Sequence, residues 1–256
     1  MTQADRKPVF RVFDSCAPMK AYRRHLPHWR HEGATYFVTF RLADSIPERV
    51  LFQWQDEDRV WLKAHGVEAG WPSWAVRGGA EHRPTSWRAA LDALPQRERA
   101  VLERRAARRM HVEIDRCHGS CLLERPDARS VVADSLRHFH GTRWWTGDFV
   151  VMPNHVHGLF QPAGGRELQD VLGSVKGFAS ARLTRLGAKA GRLWQQESYD
   201  RLVRDREELA VWRRYICGNP RTSGPLGKEG GAEHRPTTIP ERVSGAVRGG
   251  TEHRPA

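Results

Sequence analysis

The stretch RWWTGDFVVMPNHVHGLFQ, residues 143–161, decides the fold of this chain. Residues 143–152 and 155–161 are rich in β-branched and aromatic side chains, which favour strands. Pro153 and Asn154 lie between them, and such residues are typical of turns. The pattern therefore predicts two neighbouring antiparallel strands joined by a tight turn.

The flanking segments predict the rest of the sheet and its helices. Hydrophobic periodicity and β-branched content place further strands at 34–42 and 193–203, and helices at 48–65, 95–115, 127–139, 166–187 and 205–218. Asp127 and Asp205 are the expected N-caps of two of these helices. The order of elements predicts an α+β fold, with a ferredoxin-like antiparallel sheet, helices on one face and an added C-terminal helix.

One phrase occurs three times and marks segments unlike the rest of the chain. It reads RGGAEHRPT at 77–85, GAEHRPT at 231–237 and RGGTEHRP at 248–255. Its Gly pairs and Arg-Pro steps favour loops, so the phrase is either an RGG-like nucleic-acid tether or translated repetitive DNA.

These segments set the expected domain organisation. We predict a basic N-terminal arm at 1–33 and a folded domain at 34–220. That domain contains a helical insertion at about 43–126, whose loop 66–86 carries one repeat, and a flexible repeat-bearing tail follows at 221–256.

The charge balance restricts the class of partner. The chain has 42 Lys+Arg against 30 Asp+Glu, a net charge of +12, which indicates a polyanionic partner; a solvated basic surface is the alternative.

No apolar run approaches the length of a membrane-spanning helix, and the N-terminus has no apolar signal core. We therefore expect a cytoplasmic protein, associated with the nucleoid when it binds DNA.

Two pairs of residues carry the candidate chemistry. His155 and His157 are two apart on a predicted strand, so their side chains share a face and can bind one divalent metal ion. Two surface histidines are the alternative. Tyr215 and Asn219 are four apart on a predicted helix, one turn from each other, and a buried core tyrosine is the alternative there.

Together these motifs resemble a known family. The segments MPNHVH (152–157), Trp194-Gln195 and YICGNP (215–220) resemble the REP-associated tyrosine transposases, which belong to the IS200/IS605-like transposases of the HUH nuclease superfamily. The resemblance covers about 20–65 and 112–222. It does not extend to 66–111 or to the repeat-bearing tail.

The resemblance implies a function and assigns site residues. It implies the HUH nuclease fold, with Tyr215 as nucleophile on the C-terminal helix and with His155, His157 and Asn219 as ligands of Mg²⁺ or Mn²⁺. It further implies a transposase and endonuclease that cleaves and rejoins single-stranded DNA at REP-type hairpins through a 5′-phosphotyrosine intermediate. The alternative is a non-catalytic, domesticated protein that holds hairpin nucleic acid.

Candidate DNA contacts lie on the elements that carry or flank this site. Basic side chains there can follow the phosphate backbone, while an indole either stacks on a base or packs in the core. The candidates are Lys176, Arg182, Arg185, Arg201, Arg204, Arg213, Arg214 and Trp194. The expected partner is single-stranded or hairpin DNA, with no membrane, and the chain is expected to be a monomer or a homodimer.

Overall fold

The fold was obtained as a computed structural model. It describes residue 10 and residues 19–23, 27–31, 33–67, 94–188, 191–196 and 198–219. The three repeat phrases and the predicted tail at 221–256 lie outside the described residues. The predicted N-terminal arm lies only partly within them.

The described ranges contain twelve elements in chain order. They are β1 (Met19–Arg23), β2 (Pro27–His31), β3 (Tyr36–Arg41), α1 (Glu48–Ala64), α2 (Gln96–Ile114), a 3₁₀ turn (Leu122–Glu124), α3 (Pro126–His138), β4 (Trp144–Val151), β5 (His155–Pro162), α4 (Leu168–Arg185), β6 (Tyr199–Leu202) and α5 (Arg206–Cys217). The predicted helices are therefore confirmed to within a few residues. The hairpin of β1 and β2 was not predicted.

The central sheet has four antiparallel strands in the order β4-β5-β3-β6. The connection from β3 to β4 runs through α3 and passes over β5, and the connection from β5 to β6 runs through α4 and passes over β3. This split arrangement is the ferredoxin-like topology. The predicted α+β fold is confirmed.

One face of the sheet, which we call the core face, packs against α3 and α4. Inward side chains of β3 and β5 meet apolar side chains of both helices in one buried cluster, which includes Val38, Phe40, Val156, Phe160, Val132, Leu136, Val171 and Val175. The Trp144 ring stacks on Phe160 at a centroid distance of 4.3 Å. Each such side chain contributes about 1.5–3 kcal/mol by leaving water.

The opposite face, which we call the α5 face, carries Phe37, Thr39, His155 and His157 and packs against α5. Here Phe37 stacks on Trp212 of α5 with ring centroids 3.7 Å apart. Strict alternation along β5 puts Val156 on the core face and both histidines on the α5 face. The α5 face therefore combines apolar packing with buried polar side chains.

Helices α1 and α2 lie within the predicted insertion and pair with each other. The carboxylate of Asp58 in α1 accepts two hydrogen bonds from the guanidinium of Arg109 in α2. Arg105 bonds Glu57 at 3.0 Å, and Leu62 and Leu102 share a small apolar cluster. Arg105 and Arg109 of α2 thus hold the helix pair together.

The predicted strand at 193–203 is interrupted, which corrects its extent. Only Tyr199–Leu202 forms a strand, while Trp194 makes an isolated bridge to Leu42. The carbonyl oxygens of Gln195 and Gln196 accept hydrogen bonds from the ammonium of Lys176 at 2.9 and 3.2 Å. These contacts to α4 lie between the two pieces that pair along β3.

The predicted N-caps had different outcomes. Asp205 caps α5, because its Oδ1 accepts from the Glu208 backbone N–H at 2.6 Å. Asp127 is not the cap of α3: Arg125 occupies that position, and Pro126 takes the first helical turn, where its missing N–H costs nothing. Within the described ranges, no helix is both long and apolar enough to cross a bilayer.

Candidate metal and nucleophile site

The two histidines of β5 bring their ring nitrogens together on the α5 face. The Nε2 atoms of His155 and His157 lie 2.9 Å apart, and both side chains are buried. Ligand atoms bound about 2.1 Å from one octahedral ion at right angles lie roughly 3 Å apart. The spacing of the imidazoles therefore fits a shared divalent cation.

The Nδ1 atoms of both rings have hydrogen-bond partners, and the partner of His155 fixes the tautomer of that ring. His155 Nδ1 lies 2.7 Å from Asn154 Oδ1, and His157 Nδ1 lies 2.7 Å from Thr39 Oγ1. An amide oxygen only accepts, so His155 Nδ1 donates and its Nε2 carries a lone pair. The Asn154 amide is held in turn, because its Nδ2 donates to the His118 carbonyl at 3.3 Å.

Burial keeps these imidazoles uncharged. It lowers the pKa of His155 to about 3, with a smaller contribution from His111 nearby. It also lowers the pKa of His157 well below its usual value, to which His155 and His111 add. Two uncharged imidazoles have Nε2 lone pairs that are available to bind a cation.

Asp115 supplies a carboxylate to the same pocket. Its Oδ1 lies 3.8 Å from His155 Nε2, and the ligand atoms of Asp115, His155 and His157 all lie within 4.8 Å of one another. One carboxylate and two imidazoles are a donor set suited to divalent metals. The three residues thus form a candidate metal site.

Sequence reasoning missed Asp115. Asp115 follows the last residue of α2, a helix that is predicted from its Ala, Leu, Glu and Arg content. No local pattern distinguishes Asp115 from the other acidic residues of that segment. Only the packing of α2 against the sheet brings it to the histidines. Its position at a helix end, where a side chain can turn towards a neighbouring element, was the single available signal.

Tyr215 of α5 reaches this pocket within the same chain. Its hydroxyl lies 3.4 Å from His157 Nε2, and its ring meets Trp212 and Phe37 edge-on. Burial raises the pKa of the Tyr215 phenol, and the charge of Asp115 raises it further. The phenol is therefore protonated in the metal-free protein.

Asn219 lies one turn after Tyr215, just beyond the end of α5. Its side chain is 3% exposed, and its Nδ2 has no hydrogen-bond partner among the described residues. A buried amide atom without a partner is costly unless a ligand completes it. The residue after it, Pro220 of the YICGNP motif, lies outside the described residues.

Arg41 is a second residue that sequence reasoning missed. It pairs with His155 in the register of β3 and β5, on the same face of the sheet, and its Nη1 donates to Ser45 Oγ at 3.0 Å. Burial lowers the Arg41 pKa to about 10, against the opposing charge of Asp44, so the guanidinium stays charged at neutral pH. An arginine inside the apolar strand YFVTFR was its signal.

The candidate DNA contacts divide into two groups. Arg182, Arg185, Arg204 and Arg214 are exposed. Arg213 is exposed too, but pairs with Asp148 at 2.6 Å, while Arg201 pairs with buried Glu208 at 2.7 Å. Lys176 is engaged by the carbonyls described above.

Trp194 lies in the core rather than on a surface. Its side chain is 5% exposed and its ring meets Phe40 edge-on at 5.2 Å. No ring face is therefore presented for a base to stack on, and the packing alternative describes this residue.

Comparison with known proteins gives one structural likeness. No protein-family model and no curated protein matches this chain. Among solved structures it is similar to a REP-associated tyrosine transposase bound to a REP hairpin, at 15% identity and a TM-score of 0.35, over 79% of this chain and 73% of that one.

Proposed function

We propose that this chain is a divalent-metal-dependent transposase and endonuclease that cleaves and rejoins single-stranded DNA. One observation carries the proposal: the Tyr215 hydroxyl lies 3.4 Å from a histidine whose Nε2 faces a second imidazole at 2.9 Å. A nucleophile and a metal site in contact are what a metal-assisted transesterification of a phosphodiester requires.

The metal ligands in this proposal are His155, His157, Asp115 and Asn219. Ordinary rotation of the Asn219 amide by a half-turn exchanges its nitrogen and oxygen, which would turn the buried Nδ2 position, now without a partner, into an acceptor. Oxygen and imidazole ligands suit Mg²⁺ or Mn²⁺. When bound, the ion supplies a Lewis acid for a phosphate oxygen and a positive charge that favours the phenolate.

Tyr215 acts as the nucleophile. Its Oη forms a bond to phosphorus while the bond from phosphorus to the 3′ oxygen breaks, and the phenol proton leaves as the 3′ oxygen gains one. The products are a 5′-phosphotyrosine and a free 3′-hydroxyl. Attack by another 3′-hydroxyl on the phosphotyrosine reverses the step, so strands can be rejoined without a nucleotide cofactor.

The proposed substrate is hairpin DNA of the REP type. Its support is the MPNHVH and YICGNP motifs, and exposed Arg182, Arg185, Arg204 and Arg214 offer positive charge for a phosphate backbone. Because Tyr215 reaches His157 of its own chain, we propose that a monomer contains a complete site.

A non-catalytic hairpin-binding protein is the second candidate. The observation that favours it is the burial of Tyr215, because burial raises the pKa of the phenol and a neutral phenol is a poor nucleophile. In that protein, the basic surface would bind DNA and the phenol would only pack.

The experiment uses a labelled single-stranded hairpin, Mn²⁺ and the full chain, resolved on a denaturing gel. Wild type is expected to form a protein–DNA band that survives denaturation, and Tyr215→Phe to reduce it at least about 1,000-fold, because the attacking oxygen is gone. Tyr199→Phe is the matched control, since Tyr199 is also on the α5 face, and it is expected to retain the band.

The outcomes separate the candidates. A covalent band that persists in Tyr215→Phe would exclude this residue as the nucleophile. Hairpin binding by wild type without any covalent band, with Mn²⁺ or Mg²⁺, would support the non-catalytic protein.

A further inference from the structure

We propose that Thr39 and His111 are positioning residues that hold the metal ligand His157 in the tautomer and ring orientation needed to bind the ion. They form a hydrogen-bond relay on the Nδ1 side of the His157 ring, opposite the Nε2 atom that would bind the ion. The inference rests on the proposed metal site and adds two residues that do not touch the metal themselves.

When both Nε2 atoms are kept free for a cation, the relay has one direction of donation. His111 Nδ1 lies 2.8 Å from the Ala107 carbonyl, which only accepts, so this nitrogen carries the proton and His111 Nε2 is an acceptor. The Thr39 hydroxyl, 3.4 Å from His111 Nε2, donates to it. Thr39 Oγ1 is then free to accept from His157 Nδ1 at 2.7 Å.

The consequence falls on the other nitrogen of His157. With Nδ1 protonated and donating to Thr39, His157 Nε2 keeps its lone pair for a cation shared with His155 Nε2, which lies 2.9 Å away. The opposite tautomer would put a proton on Nε2 and block the metal. Asn154 fixes the second ligand in the same sense, because its Oδ1 accepts from His155 Nδ1.

Packing holds the relay in register. Thr39 lies directly opposite His157 in the pairing of β3 with β5, and a β-branched side chain has little χ1 freedom. The His111 ring stacks on the His157 ring at 5.7 Å with an interplanar angle of 11°, and Tyr199 meets His111 edge-on at 5.1 Å. Neighbouring side chains therefore hold Thr39, His111 and His157 in place.

His111 belongs to α2, within the 66–111 segment that the family resemblance does not cover. His111 is not a member of the candidate metal site, which among the described residues consists of Asp115, His155 and His157. The α2 segment thus brings to the site both the carboxylate of Asp115 and the His111 imidazole, which acts through Thr39. Partners behind a ligating imidazole typically change metal affinity by about 10- to 100-fold.

The test measures Mn²⁺ binding by the full chain, from the free-Mn²⁺ signal in electron paramagnetic resonance. Thr39→Val removes the hydroxyl and keeps the shape, and is expected to weaken Mn²⁺ binding about 10-fold or more. Thr39→Ser restores the hydroxyl and is expected to bind within about threefold of wild type. Circular dichroism confirms that each variant is folded.

The matched control is Thr35→Val. Thr35 is also a buried threonine, just before β3, and its hydroxyl bonds Gln161 at 3.3 Å rather than a histidine. It is expected to bind Mn²⁺ as wild type does. A loss of affinity equal to that of Thr39→Val would show a general effect of buried hydroxyls and overturn the relay.

His111→Leu tests the second step and serves if Thr39→Val does not fold. It is expected to weaken Mn²⁺ binding, and the double variant Thr39→Val/His111→Leu to bind no more weakly than Thr39→Val, because both act through His157. Wild-type affinity in Thr39→Val or in His111→Leu would overturn the proposal. Folded wild type that binds no Mn²⁺ would instead remove the metal site, and the proposed function with it.

Discussion

The two faces of one sheet are built on different principles. On the core face, neighbouring strands and α3 and α4 bury a continuous apolar cluster, which includes Phe40, Val156 and Phe160. On the α5 face, Phe37 and Trp212 stack beside His155 and His157, which are just as deeply buried. Adjacent residues of β5 therefore belong to environments of opposite chemistry.

The difference separates stability from function within a single strand. Burying apolar area lowers the free energy of the folded state, whereas burying an imidazole pair costs free energy unless a ligand completes it. The apolar packing of the core face stabilises the domain. This stability offsets the cost of burying polar side chains on the α5 face whose hydrogen bonds are incomplete. Gly158, where a Cβ would meet the Phe160 ring at 2.6 Å, shows how tightly the core face is packed beneath His157.

The largest expected effect compares a substitution on each face. Phe160→Ala is expected to lower the free energy of unfolding by about 3–5 kcal/mol, because it empties a packed aromatic site on the core face. Tyr215→Phe is expected to change it by less than about 1.5 kcal/mol, since only one long hydrogen bond is lost. Urea denaturation measures both, and equal losses would contradict the division between the faces.

A pH titration of stability gives the next effect. Burial lowers the pKa of His111 from 6.5 to about 4, so the unfolded chain takes up a proton at this position before the folded one does. The contribution of His111 to the free energy of unfolding is present above pH 6.5. It is lost as pH falls towards 4, by about 3 kcal/mol in total. We expect His111→Leu, with metal chelated, to show a shallower fall in urea midpoint over that range; an unchanged slope would contradict a neutral buried imidazole.

The smallest expected effect lies at the rim of the α5 face. Arg213→Ala removes an exposed ion pair with Asp148 and is expected to cost no more than about 1 kcal/mol of stability. If Arg213 also contacts phosphate, the logarithmic salt dependence of hairpin binding should fall by about one unit. Binding measured from low to moderate salt checks this, and an unchanged slope would remove Arg213 from the DNA contacts.

Most of the local structure could be predicted because it depends on short-range periodicity. The alternation in HVHGLFQ predicts that His155 and His157 share a face, and the spacing of four predicts that Asn219 follows Tyr215 by one turn. The division of the 193–203 strand could not be predicted, because the carbonyls of Gln195 and Gln196 bond to a lysine of α4, a distant segment. Local β-propensity carries no information about such a contact.

The amino-acid sequence by itself determined the elements, their order and the paired residues within one strand or one helix. Only the tertiary structure decided that Asp115, Thr39 and His111 meet the histidines, and that Tyr215 reaches His157 in its own chain. The physical reason is that facing within an element follows from its period. Contacts between distant segments depend instead on strand register and on how α2 and α5 pack on the sheet.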